Sequence, residues 1–347
     1  MQCVVFCAQT CYNISNLQYF GEKTMKLGGL EITGHTILAP MAGVTDWAYR
    51  TVCAELGAAV TVTEMVSSRA LVYQDKKSRS LLRKTPTGIC GAQIFGNDPA
   101  IMAEAAGLAL EIFGCDFIDI NMGCPMPKIA GNGDGCALMQ KPELAAAIVE
   151  AVEKAVPVPV PVTVKMRKGW DKGSVNCVEL AQAVEAAGAA AVCVHGRTKT
   201  MLYSGVADWD AIRAVREAVK IPVVANGDIF DAEAALRCEK RTGAALYMIG
   251  RSAFGNPWVF PQVEAALSGQ EIPALPPLSE RVDTAMHQFE LARADKGDHI
   301  ACLEARKHFA WYLRGVAHSN YYKEKISSIS TPEDVEAIAK GIRRDLQ

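Results

Sequence analysis

From residue 37 onward, short apolar, β-branched runs alternate with longer segments whose apolar residues recur every three or four positions. The runs predict strands over 37–43, 60–65, 89–95, 117–122, 160–167, 191–196, 223–227 and 246–250. Between them the spacing predicts helices over 46–56, 99–113, 142–156, 175–187, 208–219 and 231–240. Several of these open on Asp or Pro and several end at Gly57, Gly114 or Gly188, as helix boundaries prefer. Eight strands, each followed by a helix, imply an α/β chain folded as a (β/α)8 TIM barrel. A doubly wound open sheet is the alternative, disfavoured because no G-x-G-x-x-G follows the first strand.

A helix over 257–267 closes the barrel, and the proline-rich stretch 271–279 is too poor in donors to extend it. Beyond it the pattern is helical, over 280–294, 300–315 and 332–346. The expected organisation is a barrel over 25–270, a linker over 271–279 and a small all-helical domain over 280–347. Residues 1–24 stand apart from the pattern and read as an unstructured extension, with Met25 a natural start.

Composition narrows the class. Half of the 347 residues are hydrophobic and the formal net charge is −2, which excludes a generally basic, nucleic-acid-coating protein but allows a local basic face. No apolar run reaches the ~18 residues of a membrane span, and the N-terminus lacks a basic signal region. Twelve cysteines without a secretory signal point to free thiols in a reducing cytoplasm. Cys3, Cys7 and Cys11 are evenly spaced but lack a fourth ligand, so no metal is expected.

In a barrel the C-terminal strand ends build the active site. Here they carry Pro40-Met41-Ala42-Gly43, Glu64, Gln93, Asn121 with Cys124, Lys165 with Arg167, His195 with Arg197, Asn226-Gly227-Asp228, and Gly250-Arg251. Cys124 follows the strand 117–122 across a glycine turn; alone, it would more often be a packing residue. Glycines and Arg251 after the seventh and eighth strands suit a phosphate. Lys165 could stabilise an anionic cofactor, and the amides of Gln93 and Asn121 can both donate and accept, as a flavin's pyrimidine edge requires. FMN fits this set better than NAD, while Lys165 keeps pyridoxal phosphate open.

Ala39-Pro40-Met41-Ala42-Gly43-Val44-Thr45-Asp46, Asn121-Met122-Gly123-Cys124-Pro125, Lys165-Met166-Arg167, His195-Gly196-Arg197-Thr198, Ala225-Asn226-Gly227-Asp228 and Gly250-Arg251 together resemble the tRNA-dihydrouridine synthases. With Gly255-Asn256-Pro257-Trp258, the likeness is greatest to their bacterial B-type branch and covers about residues 25–320. Cys136, where the family often has serine, and the Pro-Val-Pro-Val-Pro run over 157–161 depart from the pattern without touching the matched site.

The resemblance implies an FMN-bound barrel with a C-terminal helical tRNA-binding domain, reducing selected uridines with NADPH. By matching motif it implies FMN contacts at Pro40, Met41, Ala42, Gln93, Lys165, His195, Asn226, Gly227, Asp228, Gly250 and Arg251. Hydride would pass from FMN to C6 and Cys124 would protonate C5, with Asn121 and Arg167 contacting the uracil. In the helical region, Arg306, Lys307, His308 and Arg314 around Trp311 and Tyr312, followed by Tyr321, Tyr322, Lys323 and Lys325, suit RNA. A flavin barrel reducing a free pyrimidine or another activated alkene is the nearest alternative. No membrane or obligate protein partner is implied.

Overall fold

The computed structural model describes residues 24–346, so the expected extension lies, but for Thr24, outside the described residues. The strands are β1 (Thr24–Leu27), β2 (Leu30–Thr33), β3 (Thr36–Leu38), β4 (Val60–Val62), β5 (Val66–Ser67), β6 (Ile89–Phe95), β7 (Phe117–Met122), β8 (Val162–Gly169), β9 (Ala191–Thr198), β10 (Val223–Asn226) and β11 (Leu246–Ile249). All but β1 and β2 pair in parallel, in the order β4-β3-β11-β10-β9-β8-β7-β6-β5, and a β4–β6 pairing closes the ring of eight. The (β/α)8 barrel is therefore the observed fold.

Side chains alternate across each strand, and this parity explains both layers of the core. On β7, Ile118, Ile120 and Met122 face the surrounding helices within the largest apolar cluster. Phe117 belongs instead to the cluster inside the barrel, with Ile37, Val60, Val62, Cys193, Val224, Leu246 and Met248. Its ring fills space that a side chain at position 91 would occupy: a Cβ on Gly91 would lie 2.3 Å from that ring. The β1–β2 hairpin, which the strand pattern missed, adds Leu27 and Ile32 to the same interior cluster.

Elements 89–95, 99–113 and 117–122 match the sequence reading. Asp98 caps the helix Pro99–Phe113 through Ala100 and Ile101 N–H groups, and Gly114 ends it at φ +59°. The first barrel strand is shorter than expected, because residues 39–45 turn away from it. Pro40 has no N–H to give the sheet. The N–H groups of Val44 and Thr45 donate to the Met41 carbonyl, and the Met41 N–H donates to Thr45 Oγ1 at 2.8 Å.

Four C-terminal helices follow: Leu278–Lys296, Asp298–Tyr312, Asn320–Ser327, which was not anticipated, and Pro332–Asp345. Their apolar residues, among them Phe289, Phe309, Ile326 and Ile342, form a cluster that also takes in Ala48 and Trp258 from the barrel's helices. Asp46, the N-cap of helix Trp47–Glu55, accepts from Tyr49 N–H at 2.9 Å and from Lys296 Nζ at 2.5 Å. Lys296 also donates to Glu304 at 2.7 Å, so a partly buried ionic cluster ties the barrel to the helices. No helix among the described residues is long and apolar enough to cross a membrane.

Candidate active site

The same parity that places apolar side chains at the bottom of the barrel places polar ones at its top. Along β7 the inward residues run Phe117, Asp119, Asn121; along β8, Thr163, Lys165, Arg167; along β9, Cys193, His195, Arg197. Parallel register sets Asn121 beside Lys165, Arg167 beside His195, and His195 beside Asn226. Above them opens a cavity of about 490 Å³, within the range of cofactor sites. It is lined by Pro40, Met41, Ala42, Gln93, Asn121, Cys124, Lys165, Arg167, His195, Asn226, Gly227, Asp228, Gly250 and Arg251. The cavity thus gathers residues from the ends of most of the barrel strands, while Gly43, Glu64 and Arg197 lie outside its lining. Met65, Tyr203, Phe230 and Phe254, which no motif singled out, also line it.

Cys124 alone among the described cysteines is not fully buried. Its backbone N–H and that of Gly123 donate to Asn121 Oδ1 at 2.9 and 3.2 Å. Burial raises its pKa above the usual thiol value, against the Met126 N–H and the Arg167 and Lys165 charges, so the neutral thiol prevails at neutral pH. Arg167 does more structural work than the sequence suggested. Its Nε donates to the Gly123 carbonyl at 3.0 Å, and Nη1 to Thr198 and Leu202 carbonyls at 2.7 and 2.9 Å, pinning the Cys124 loop to the loop after β9.

Lys165 Nζ donates to Asn226 Oδ1 at 3.1 Å, and Asn226 Nδ2 donates to the Met248 carbonyl at 2.8 Å. His195 is buried; desolvation first, then the surrounding Lys165, Arg167, Arg197 and Arg251 charges, depress its pKa to about 2. It is therefore a neutral imidazole. Its Nε2 lies 3.4 Å from Arg197 Nη1, which can only donate, so the other ring nitrogen carries the proton.

Gly227 has φ +117°, and a Cβ there would lie 2.8 Å from Ala207 Cβ and 2.9 Å from His195 Cδ2. Only glycine fits this close approach. Asp228 Oδ2 accepts from Arg197 Nη2 at 2.7 Å and Ala207 N–H at 2.6 Å, and its Oδ1 lies 3.7 Å from Arg251 Nη2 at the cavity. The buried Arg197 also donates to Ser204 and Gly205 carbonyls, so the pair braces two loops. Arg251 remains part exposed, stacked 4.7 Å from the Tyr203 ring centroid.

In the helical region the basic and aromatic residues divide. Arg314 is exposed, and so is Tyr321. Arg306 Nε donates to the Ile329 carbonyl at 2.8 Å, and Lys307 donates to the Gly43 carbonyl at the cavity's edge. His308, Tyr312 and Tyr322 are buried, so they serve packing. His308 lies between Tyr49 and Trp311, and burial lowers its pKa to about 4. Trp311 stacks on Phe254 of the barrel, with ring centroids 4.4 Å apart.

The family model described as Dihydrouridine synthase (Dus) matches residues 37–345. The chain is 39% identical over 311 residues to the tRNA-dihydrouridine synthase B of Pasteurella multocida, covering 89% of this chain and 93% of that protein. It is 43% identical over 299 residues to a probable tRNA-dihydrouridine synthase of Rhodobacter capsulatus, covering 85% and 90%. Among solved structures, a 2-naphthoyl-CoA reductase is similar in fold at TM-score 0.56 and 11% identity, over 72% of this chain and 52% of that one. The histamine dehydrogenase of Rhizobium sp. 4-9 is similar at TM-score 0.56 and 14% identity, over 77% and 50%. The chain spans about half the length of these two solved proteins, and the likeness to them is one of fold. Sequence motifs, barrel and relatives converge on one assignment: this chain is an enzyme of the dihydrouridine synthase family.

Proposed function

We propose that this enzyme reduces particular uridines of tRNA to 5,6-dihydrouridine, with FMN as its bound cofactor and NADPH as electron source, in the cytoplasm. The observation that carries the reading is a neutral Cys124 thiol over a cavity lined by Lys165, Arg167 and Arg251. The cavity's donor set fits a flavin mononucleotide. The Lys165 and Arg251 cations suit its phosphate, and the fixed amides of Gln93 and Asn121 suit its ring edge. Pro40, Met41, Ala42, Lys165, His195, Asn226, Gly250 and Arg251 would complete its binding; Asp228 would act through Arg197. When bound, FMN supplies the hydride for C6 of the uracil.

The chain's own residues supply the rest. Cys124 holds the proton for C5, and its raised pKa keeps that proton in place at neutral pH. Asn121 and Arg167 position the uracil beside it, Arg167 chiefly by holding the Gly123 carbonyl. The target base must leave its stack to reach a cavity this deep. NADPH and the uridine would occupy the one open face in turn.

We read the chain as a catalytic barrel over 25–270, a linker over 271–279 and a tRNA-binding helical domain over 280–347. Arg306, Lys307 and Arg314 are its candidate backbone contacts, and Arg314 is the exposed one. Arg314→Ala should flatten the slope of log Kd against log salt for tRNA by about 1. An unchanged slope would remove Arg314 from the interface.

Incubating the purified holoenzyme with NADPH and an unmodified tRNA transcript tests the reading. A two-hydrogen mass gain at discrete uridines is expected, with no NADPH oxidation by free uridine. Efficient turnover of free uridine and none of tRNA would instead establish a small-molecule pyrimidine reductase.

A further inference from the structure

We infer that the ionised carboxylate of Asp119 is a positioning residue, setting the polarity of a buried amide relay that runs through Gln93 and Asn121 to the backbone of Cys124. The inference rests on the proposed role of Cys124 as proton donor. Asp119 carries no part in the reaction described above and lies deeper in the barrel than any group that does.

The relay follows from what each group can do. A carboxylate only accepts, so Gln93 must turn its amide nitrogen toward Asp119 Oδ2, at 2.6 Å. That leaves Gln93 Oε1 to accept from Asn121 Nδ2 at 2.8 Å. Asn121 Oδ1 is then left facing the N–H groups of Gly123 and Cys124. Thr163 Oγ1 donates to the other carboxylate oxygen at 2.6 Å. Every donor in the chain points toward Asp119. A neutral group at 119 permits the opposite polarity, which would set the Asn121 amide nitrogen against the Cys124 N–H, two donors face to face.

Below Asp119, the barrel interior presents apolar side chains from β1, β3, β4, β7, β9, β10 and β11. The titratable groups that face it are Lys165 on β8 and Cys193 on β9. Burial pushes the Cys193 thiol up to about 12, so it stays neutral. Burial likewise raises the Asp119 carboxyl to about 6, against the hydrogen bonds of Thr163 and Gln93 and the charge of Lys165. An unfolded Asp titrates near ~3.9. Between these values the folded chain holds a proton that the unfolded chain lacks, so stability falls as pH rises from about 4 to about 6, and the loss persists above. The ionised form orders the relay at a cost in stability.

Asp119→Asn separates the two effects in the holoenzyme. The variant's Tm relative to wild type should rise between pH 5 and pH 8. Over the same span, the ratio of wild-type to variant single-turnover rates of tRNA reduction should grow from near unity to about tenfold, the weight of one buried hydrogen-bond preference. In wild type, hydrogen-exchange protection of the Cys124 N–H should increase as pH rises through about 6. A Tm difference independent of pH, a flat rate ratio or flat protection would overturn the inference. If wild type reduces no tRNA at all, the proposed reaction fails, while the Tm and exchange measurements still decide the relay. Should the variant not fold, the wild-type exchange profile decides it alone.

Discussion

Replacing Cys124 by alanine should lower the single-turnover rate of tRNA reduction by about two to four orders of magnitude, the usual weight of a positioned proton donor. The prediction rests on placement. Cys124 is the one described cysteine open to the cavity, and its loop is held from two sides, by Asn121 Oδ1 on its N–H groups and by Arg167 on the Gly123 carbonyl. The neighbours that hold the loop do not use the thiol, so its removal should leave flavin content and Tm close to wild type. Once the Asp119 carboxyl is ionised, above about pH 6, the wild-type rate should stay level until the pH passes the ordinary thiol range, because burial raises the Cys124 pKa. Rapid-quench measurement of dihydrouridine formation checks both points. A variant within twofold of wild type would show that the proton comes from elsewhere.

The second large effect concerns stability and lies at the opposite end of the barrel. Glu264, in helix Val259–Leu267, is 1% exposed and makes five hydrogen bonds to four groups: the His35 N–H (to both oxygens), His35 Nδ1, Thr36 N–H and Thr36 Oγ1, all at 2.7–2.9 Å. These groups begin β3, so one carboxylate joins the last barrel helix to the first barrel strand. Glu264→Ala leaves several buried donors without a partner and should cost about 3–5 kcal/mol. Glu264→Gln should cost less, since one oxygen can still serve Thr36 while its amide nitrogen faces the His35 N–H. Urea unfolding midpoints at unchanged m report the difference. A loss below about 1 kcal/mol for the alanine variant would mean that water replaces the carboxylate.

Glu264 also shows where reading the chain alone stops. It lies in a stretch of helical period, and nothing in the adjacent residues separates a buried clamp from a surface glutamate. Its partners are 228 and 229 positions away. Asp119 was closer to legible. A carboxylate inside the apolar run 117–120, in step with Asn121, marks an inward polar position once the strand's parity is known. The hairpin Thr24–Leu27 and Leu30–Thr33 escaped because two four-residue strands carry too little periodicity. The basic and aromatic cluster of 306–325 was legible as chemistry but not as location. His308, Tyr312 and Tyr322 turned inward, and Lys307 turned to the Gly43 carbonyl.

The alternation of the eight barrel strands with helices, the barrel and the ring of polar strand ends were determined by the sequence alone. They follow from period-two and period-3.6 patterning, which is local and repeats eight times. The motifs at those strand ends likewise determined the family. Only the tertiary structure decided how those side chains divide their labour. Arg167 and Asp228 spend their hydrogen bonds on loops, Glu264 ties the last barrel helix to the first barrel strand, and the amides of Gln93 and Asn121 take their orientation from Asp119. Hydrogen-bond capacity is a property of each residue type. Which partner uses it depends on residues that the chain brings together from far apart, and the closed barrel is what brings them.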